Sequence, residues 1–250
     1  KRRFNARKPK LKKRGRKEEY TMERKNAWAA YAQDDSKVEA FAKAYRDFID
    51  NGKTERECVT YFAQKAEKAG FVNLDTVLEE GTKLAAGDKV YANNMGKGLA
   101  LFVIGEKNME HGMNILGAHI DSPRMDLKQD PLYEDTDFAM LDTHYYGGIK
   151  KYQWVTLPLA LHGTVVRKDG TVLDVVIGED AGDPVFCVTD LLPHLAKDQM
   201  TKTLSEGIKG EQLNVVVGSR PYPDEKVKEK IKLNILSLLH EKYGLVEGDF

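Results

Sequence analysis

Residues 112–128 read GMNILGAHIDSPRMDLK. Met113–His119 is an almost unbroken apolar run, which predicts a strand buried on both faces. It ends abruptly at Asp121-Ser122-Pro123-Arg124. Open α/β sheets gather ligands outside the C-terminal ends of their strands, so a site is expected there. Two residues apart along a strand, His119 and Asp121 share a face. A neutral imidazole is a good zinc ligand, and a neighbouring carboxylate can fix its ring orientation and tautomer. A complete centre needs at least two more ligands, and no other stretch offers them at a recognisable spacing. Taken alone, His-x-Asp is more often a core histidine beside a carboxylate; its place at a strand end brings the metal reading level with that one.

Upstream, two amphipathic helices are legible. Ser36 with Glu39 reads as a capping box, followed by Val38, Phe41, Tyr45, Phe48 and Ile49 at helical spacing, with Gly52 as the stop. Thr54 with Glu57 repeats the signature before Cys58, Phe62, Ala66 and Ala69, and Gly70 closes that helix. Lys89–Asn93 and Leu99–Ile104 read as strands. Helices followed by strands, with a ligand motif at a strand end, make an α/β beginning.

Downstream, residues 128–143 look acidic and irregular, as in a functional loop or domain junction. Trp154–Val166, Val172–Gly178, Val185–Val188 and Leu213–Gly218 read as closely spaced strands, with Lys168-Asp169-Gly170 as a hairpin turn. This texture is β-rich, barrel-like or sandwich-like. Asp190–Ala196 reads as a short helix interrupted by Pro193. A long helix is expected from Asp224 to Gly244. A new segment opens at Leu245 and stops at Phe250, so the chain is expected to break off within its fold.

Composition excludes several classes. With 41% hydrophobic and 31% charged residues the chain reads as globular. Its net charge of zero conceals an asymmetry: residues 1–20 hold eleven Lys and Arg against two Glu, leaving +9 there and −9 in the remainder. That tail has almost no apolar residues and is expected to be disordered. It reads as an upstream extension sooner than as a nucleic-acid or membrane-surface arm. Cys58 and Cys187 form no CxxC pair. No apolar run suits a membrane span or signal peptide, so the cytoplasm is the expected compartment. There is no nucleophile elbow, P-loop or dinucleotide fingerprint. Among the other histidines, His111 and His240 read as solvent-facing, His162 as a satisfied strand residue, and His144 as preceding a bend at Gly147-Gly148. His194 sits where Pro193 breaks a helical pattern and exposes its ring.

GAHIDSPRMDLK, HYYGGIKKYQWVTLPLALHGTVV and DLLPHLAKDQ together resemble the zinc aminopeptidase family that includes aspartyl aminopeptidase and vacuolar aminopeptidase I. The resemblance runs over about residues 22–250 and matches the family's N-terminal half. It implies an α/β catalytic domain with an inserted β-rich, barrel-like dimerisation domain. The layout is then 1–21 as the basic extension, 22–125 as the first part of the catalytic domain, 126–245 as the insert and 246–250 as the return. It further implies a two-metal Zn²⁺ site (Mn²⁺ or Co²⁺ also admissible), with His119 a metal ligand and Asp121 the catalytic aspartate orienting it. The remaining ligands belong to the family's second half. His194 becomes a candidate substrate-binding residue acting in trans, although family members can carry a second histidine four residues on, where this chain has Asp198. The implied activity is removal of N-terminal residues from peptides, by homo-oligomers in which dimers build a dodecamer. The alternative is a non-catalytic assembly module or truncated subunit. Neither a membrane nor a nucleic acid is expected as partner. Since residues 1–21 have no core of their own, deleting them is expected to leave the melting temperature and oligomeric state unchanged; calorimetry and gel filtration check this.

Overall fold

A computed structural model of the chain describes residues 26–224 and 226–250. The expectations for residues 1–21 lie outside the described residues. The chain divides into two compact units between Asp47 and Phe48.

The first unit, from Asn26, begins with a 3₁₀ turn at Ala27–Ala30, capped by the Asn26 side chain accepting the Trp28 N–H. Helix α1 follows over Ser36–Asn51. The expected capping box does not form, because Ser36 already lies inside the helix. The Asp35 carbonyl accepts the first helical N–H groups, from Val38 at 2.8 Å and Glu39 at 3.0 Å, and the Asp34 carboxylate takes the Ser36 N–H. Acidic groups suit a helix N-terminus, so the two aspartates supplant the serine.

The second unit starts with the last turn of α1. Gly52 lets the chain reverse: a Cβ there would lie 2.9 Å from the Phe48 ring and 3.0 Å from the Cys58 sulfur. Helix α2, Glu55–Lys68, carries the expected capping box, Thr54 accepting the Glu57 N–H while Glu57 accepts the Thr54 N–H. It is followed by β1 (Val72–Asn73), α3 (Leu74–Glu79), β2 (Lys89–Asn94) and β3 (Gly98–Val103). These strands form a sheet in the order β1-β2-β3, parallel then antiparallel. The expected β2 and β3 both appear.

Met113–His119 does not form a strand. The run from Gly112 to Pro123 is irregular and joins no ladder, and Ile115 and Leu116 are 79% and 99% exposed. A strand apolar on both sides needs neighbours at its edges and cover on its faces; no described residue supplies them. Residues 128–143 correct the reading in the other direction. They belong to a hairpin of β4 (Arg124–Asp135) and β5 (Phe138–Tyr146). Its turn residues Thr136 and Asp137 both have positive φ, the conformation of a tight hairpin turn. Asp130, also at positive φ, and Pro131 sit where the register shifts. Thr-Asp is a poor turn signal beside Asn-Gly, and the proline breaks the alternation, so the hairpin reads as a loop.

Strand β6 (Leu161–Val166) pairs with β7 (Val172–Ile177) across the expected turn at Gly170. Only isolated bridges precede it, at Val155 and Leu159, the latter to Phe186. The Asp190–Ala196 segment is a single irregular turn leading into the short α4 (Lys197–Met200). Strand β8 (Val215–Gly218) adds to β5, giving the sheet order β4-β5-β8. No closed barrel of strands forms among the described residues. Helix α5 spans Lys230–Tyr243 and starts later than the sequence suggests. The Glu134 carboxylate, from β4, accepts the N–H groups of Ile231 and Lys232 at 2.8 Å, fixing the N-terminus there instead of at Asp224. Gly244, at φ +66, ends it as expected, and Arg167 donates to the Tyr243 and Gly244 carbonyls. The fold is mixed α/β. Its main core, built around Leu141, Val188, Leu213, Val215 and Ile231, lies between the β4–β8 strands and α5.

Glu57 joins the α2 side to the hairpin β6–β7. Beyond its cap contacts, its Oε1 lies 2.7 Å from His162 Nδ1, and His162 Nε2 lies 2.9 Å from Glu179. His162 is thus the satisfied strand residue expected. Thr54→Ala removes one cap bond and is expected to cost about 1 kcal/mol. Glu57→Ala removes the reciprocal bond and the His162 contact, and is expected to cost roughly 1–3 kcal/mol. Urea unfolding of both variants measures the order; equal losses would show that the His162 contact contributes nothing.

Candidate metal-binding site

His119 and Asp121 are brought together as the sequence suggests, though in irregular backbone and not in a strand. His119 Nδ1 lies 2.8 Å from the Asp121 backbone oxygen and 3.1 Å from Asp121 Oδ1. Both partners can only accept, so Nδ1 carries the proton and Nε2 presents its lone pair. This tautomer suits an imidazole that ligates through Nε2. The side chain is 82% exposed and lines an open cleft of about 880 Å³ bounded by α2, the start of β3 and residues 118–124.

The second Asp121 oxygen is also engaged: the Tyr146 hydroxyl donates to Oδ2 at 3.0 Å. That bond is the largest cause holding the Asp121 carboxyl below its ordinary range, and it pushes the Tyr146 phenol up. A carboxyl depressed by folding contributes stability above its unfolded pKa, about 3.9. The contribution is lost as pH falls through the lower folded value.

Tyr146 is itself fixed by register. It is the last residue of β5 and pairs across the strands with Arg124, the first of β4. The Arg124 guanidinium lies over the Tyr146 ring, 4.4 Å from its centroid, a favourable cation–π placement. Arg124 also donates to Glu55 at 2.8 Å and to Asp126 at 2.7 Å. After Tyr146 the chain must turn at once over Pro123, and Gly147 does so at φ +75. On the other side, the Cys58 thiol has two carbonyl acceptors within the range for sulfur, Gly52 at 3.6 Å and Ile120 at 3.7 Å. Burial, then Glu57 and Glu55, push this thiol up, so it serves as a neutral donor and not as a thiolate ligand.

The donor set fits one metal ligand: an imidazole with the correct tautomer, its orienting carboxylate bonded on both oxygens. Among the described residues, no group of three or more His, Cys, Asp or Glu stands close enough to hold an ion. His194 is exposed and does not line the cleft. Sequence reasoning singled out His119 and Asp121 but missed Tyr146, Arg124 and Glu55. The arginine and tyrosine lie in the quoted motifs, yet only the β4–β5 register shows that they meet.

Comparison with known proteins identifies the family. A relative from Clostridium acetobutylicum, a probable M18 family aminopeptidase 1, is 57% identical over 229 residues, covering 91% of this chain and 49% of the relative. The crystal structure of an M18-family aminopeptidase from Thermotoga maritima matches with a TM-score of 0.82 at 42% identity, covering 92% of this chain and 49% of that one. The S. cerevisiae mApe1 dodecamer shares the fold, with a TM-score of 0.56 at 20% identity over 85% of this chain and 46% of that one. The chain thus spans about half the length of the curated relatives it matches. Residues 48–250 match the family described as aminopeptidase I zinc metalloprotease (M18), and the chain belongs to that family.

Proposed function

We propose that this chain carries part of a zinc-dependent aminopeptidase centre, in which His119 is a metal ligand and Asp121 orients it. The observation that carries the reading is the His119 tautomer, with Nδ1 bonded to two acceptors and Nε2 left as the donor atom. In a two-metal hydrolase the ions polarise the scissile carbonyl and generate hydroxide near neutral pH. This chain's own residues do less than that: His119 offers one lone pair, Asp121 and Tyr146 hold its ring, and the cleft wall supplies apolar and cationic surface. The other ligands of a Zn²⁺ pair, or of Mn²⁺ or Co²⁺ in its place, are supplied by sequence outside these 250 residues.

Residues 22–125 and 246–250 serve the catalytic domain in this reading, and 126–245 an inserted domain for pairing subunits. The enzyme takes peptide substrates and works as a homo-oligomer in the cytoplasm. The dodecameric yeast relative supports dimers building a dodecamer. No described helix is long and apolar enough to cross a membrane. A second reading, a non-catalytic assembly module, draws on the main core lying in the β4–α5 region, which can stay folded while the site is incomplete.

The chain alone is expected to release no N-terminal residue from peptides with zinc, manganese or cobalt. Fused to the remainder of the C. acetobutylicum relative, it is expected to become active and to bind zinc. His119→Ala in the fusion should then cost more than the roughly 10–100-fold typical of a ligand's hydrogen-bond partner. Metal-dependent turnover by the 250 residues alone would overturn the ligand count. Unchanged zinc content in the His119→Ala fusion would overturn the ligand assignment.

We propose His194 as a substrate contact delivered to a neighbouring subunit; its exposure supports the reading. Mixing inactive His119→Ala and His194→Ala fusion subunits is expected to recover part of the activity through shared sites. Mixed particles that assemble normally but stay inactive would confine His194 to its own fold.

A further inference from the structure

We infer that Tyr146 is a positioning residue for the metal ligand: its hydroxyl locks the Asp121 carboxylate in the orientation that fixes the His119 ring. The inference rests on the reading of His119 as a ligand and adds to it a residue that neither the motif nor the comparisons single out.

The Asp121 carboxylate is bonded at both of its oxygens. Asp121 is 42% exposed at its side chain, so packing alone does not hold it. The terminal torsion of an aspartate is broad and roughly two-fold, and a carboxylate bonded through one oxygen can swing about that bond. Here Oδ1 shares the His119 Nδ1–H, at 3.1 Å, with the nearer Asp121 backbone oxygen at 2.8 Å, and Oδ2 receives the Tyr146 hydroxyl. Bonds from both sides leave the carboxylate plane one setting. An O–H donor to a charged acceptor is among the stronger hydrogen bonds.

The phenol can do this because it is anchored independently of Asp121. Its ring is sandwiched by register against Arg124, and the Arg124 guanidinium is held by Glu55 from α2 and Asp126 from β4. The orientation of His119 is therefore referred to the β4–β5 hairpin and to the first turn of α2. Replacing the hydroxyl by hydrogen keeps the ring and its stacking on Arg124, so Tyr146→Phe tests the bond and not the fold.

The direct readout is the tautomer of His119 in the ¹⁵N-labelled, metal-free 250-residue chain, at a pH where the ring is neutral. Wild type and Tyr133→Phe are expected to show predominantly the Nδ1–H form. Tyr133 lies on the same hairpin, and its hydroxyl accepts from Asn214 away from the site, so it controls for loss of a phenol. In Tyr146→Phe the ratio of Nδ1–H to Nε2–H is expected to fall about three- to tenfold, the size of one net hydrogen bond, and in Asp121→Ala further. A Tyr146→Phe ratio equal to wild type overturns the inference. In the fused enzyme, Tyr146→Phe is expected to weaken zinc binding about tenfold while kcat at saturating zinc stays within about twofold of wild type; unchanged zinc affinity there also overturns it. If His119→Ala in that fusion leaves zinc bound, the ligand reading falls separately, and the tautomer ratio still decides what Tyr146 does.

Discussion

Arg124 fastens the α2 side of the second unit to its sheet. One guanidinium reaches Glu55 in the first turn of α2 and Asp126 on its own strand, and covers the Tyr146 ring on the neighbouring strand. Its side chain is 29% exposed and that of Glu55 21%, so the ion pairs are worth little net energy once desolvation is counted. Their value is geometric. A planar fork with several donors can satisfy two carboxylates and stack at once, which a lysine ammonium cannot do. The segment carrying His119 and Asp121 lies between these elements and takes its position from them.

A second fastening lies at Glu57, also in the first turn of α2. Its carboxylate closes the capping box and meets His162 on β6. Both ring nitrogens of His162 face carboxylate oxygens, Glu57 on one side and Glu179 on the other. A neutral imidazole can donate through only one of them. Both fastenings thus use side chains from the first turn of α2, where carboxylates also favour the helix dipole. One stretch of sequence, Thr54–Glu57, serves helix initiation and tertiary attachment together.

What could be read in the sequence depended on whether the signal was local. The Thr54 box, the Gly170 turn, strands β2 and β3 and the Gly244 stop follow from neighbours a few residues apart, and they appear. The late start of α5 could not be read that way, since it is set by Glu134 almost a hundred residues upstream. The β4–β5 hairpin was hidden by a Thr-Asp turn and by a register shift at Asp130-Pro131. At the site, the His119–Asp121 pair was legible because both ends lie two residues apart. Tyr146 was not, because its role exists only through the pairing of β4 with β5.

Met113–His119 has the composition of an interior strand and none of its surroundings. Ile115 and Leu116 lie in the open shortly before His119, and the β3 residues Leu101, Phe102 and Val103 are 47%, 48% and 63% exposed. Large apolar side chains left open to water are candidates for burial against other surfaces, and a segment without a ladder is open to strand addition. Covering it would do more than bury hydrocarbon. Charges that are screened at an exposed surface interact more strongly when water is excluded, so cover over this face would strengthen the hold of Asp121 on His119 and raise the cost of leaving the Nε2 lone pair without a partner. If His119 is a ligand as proposed, burial of this segment would also favour an ion there, and folding of the segment and metal binding are expected to be coupled.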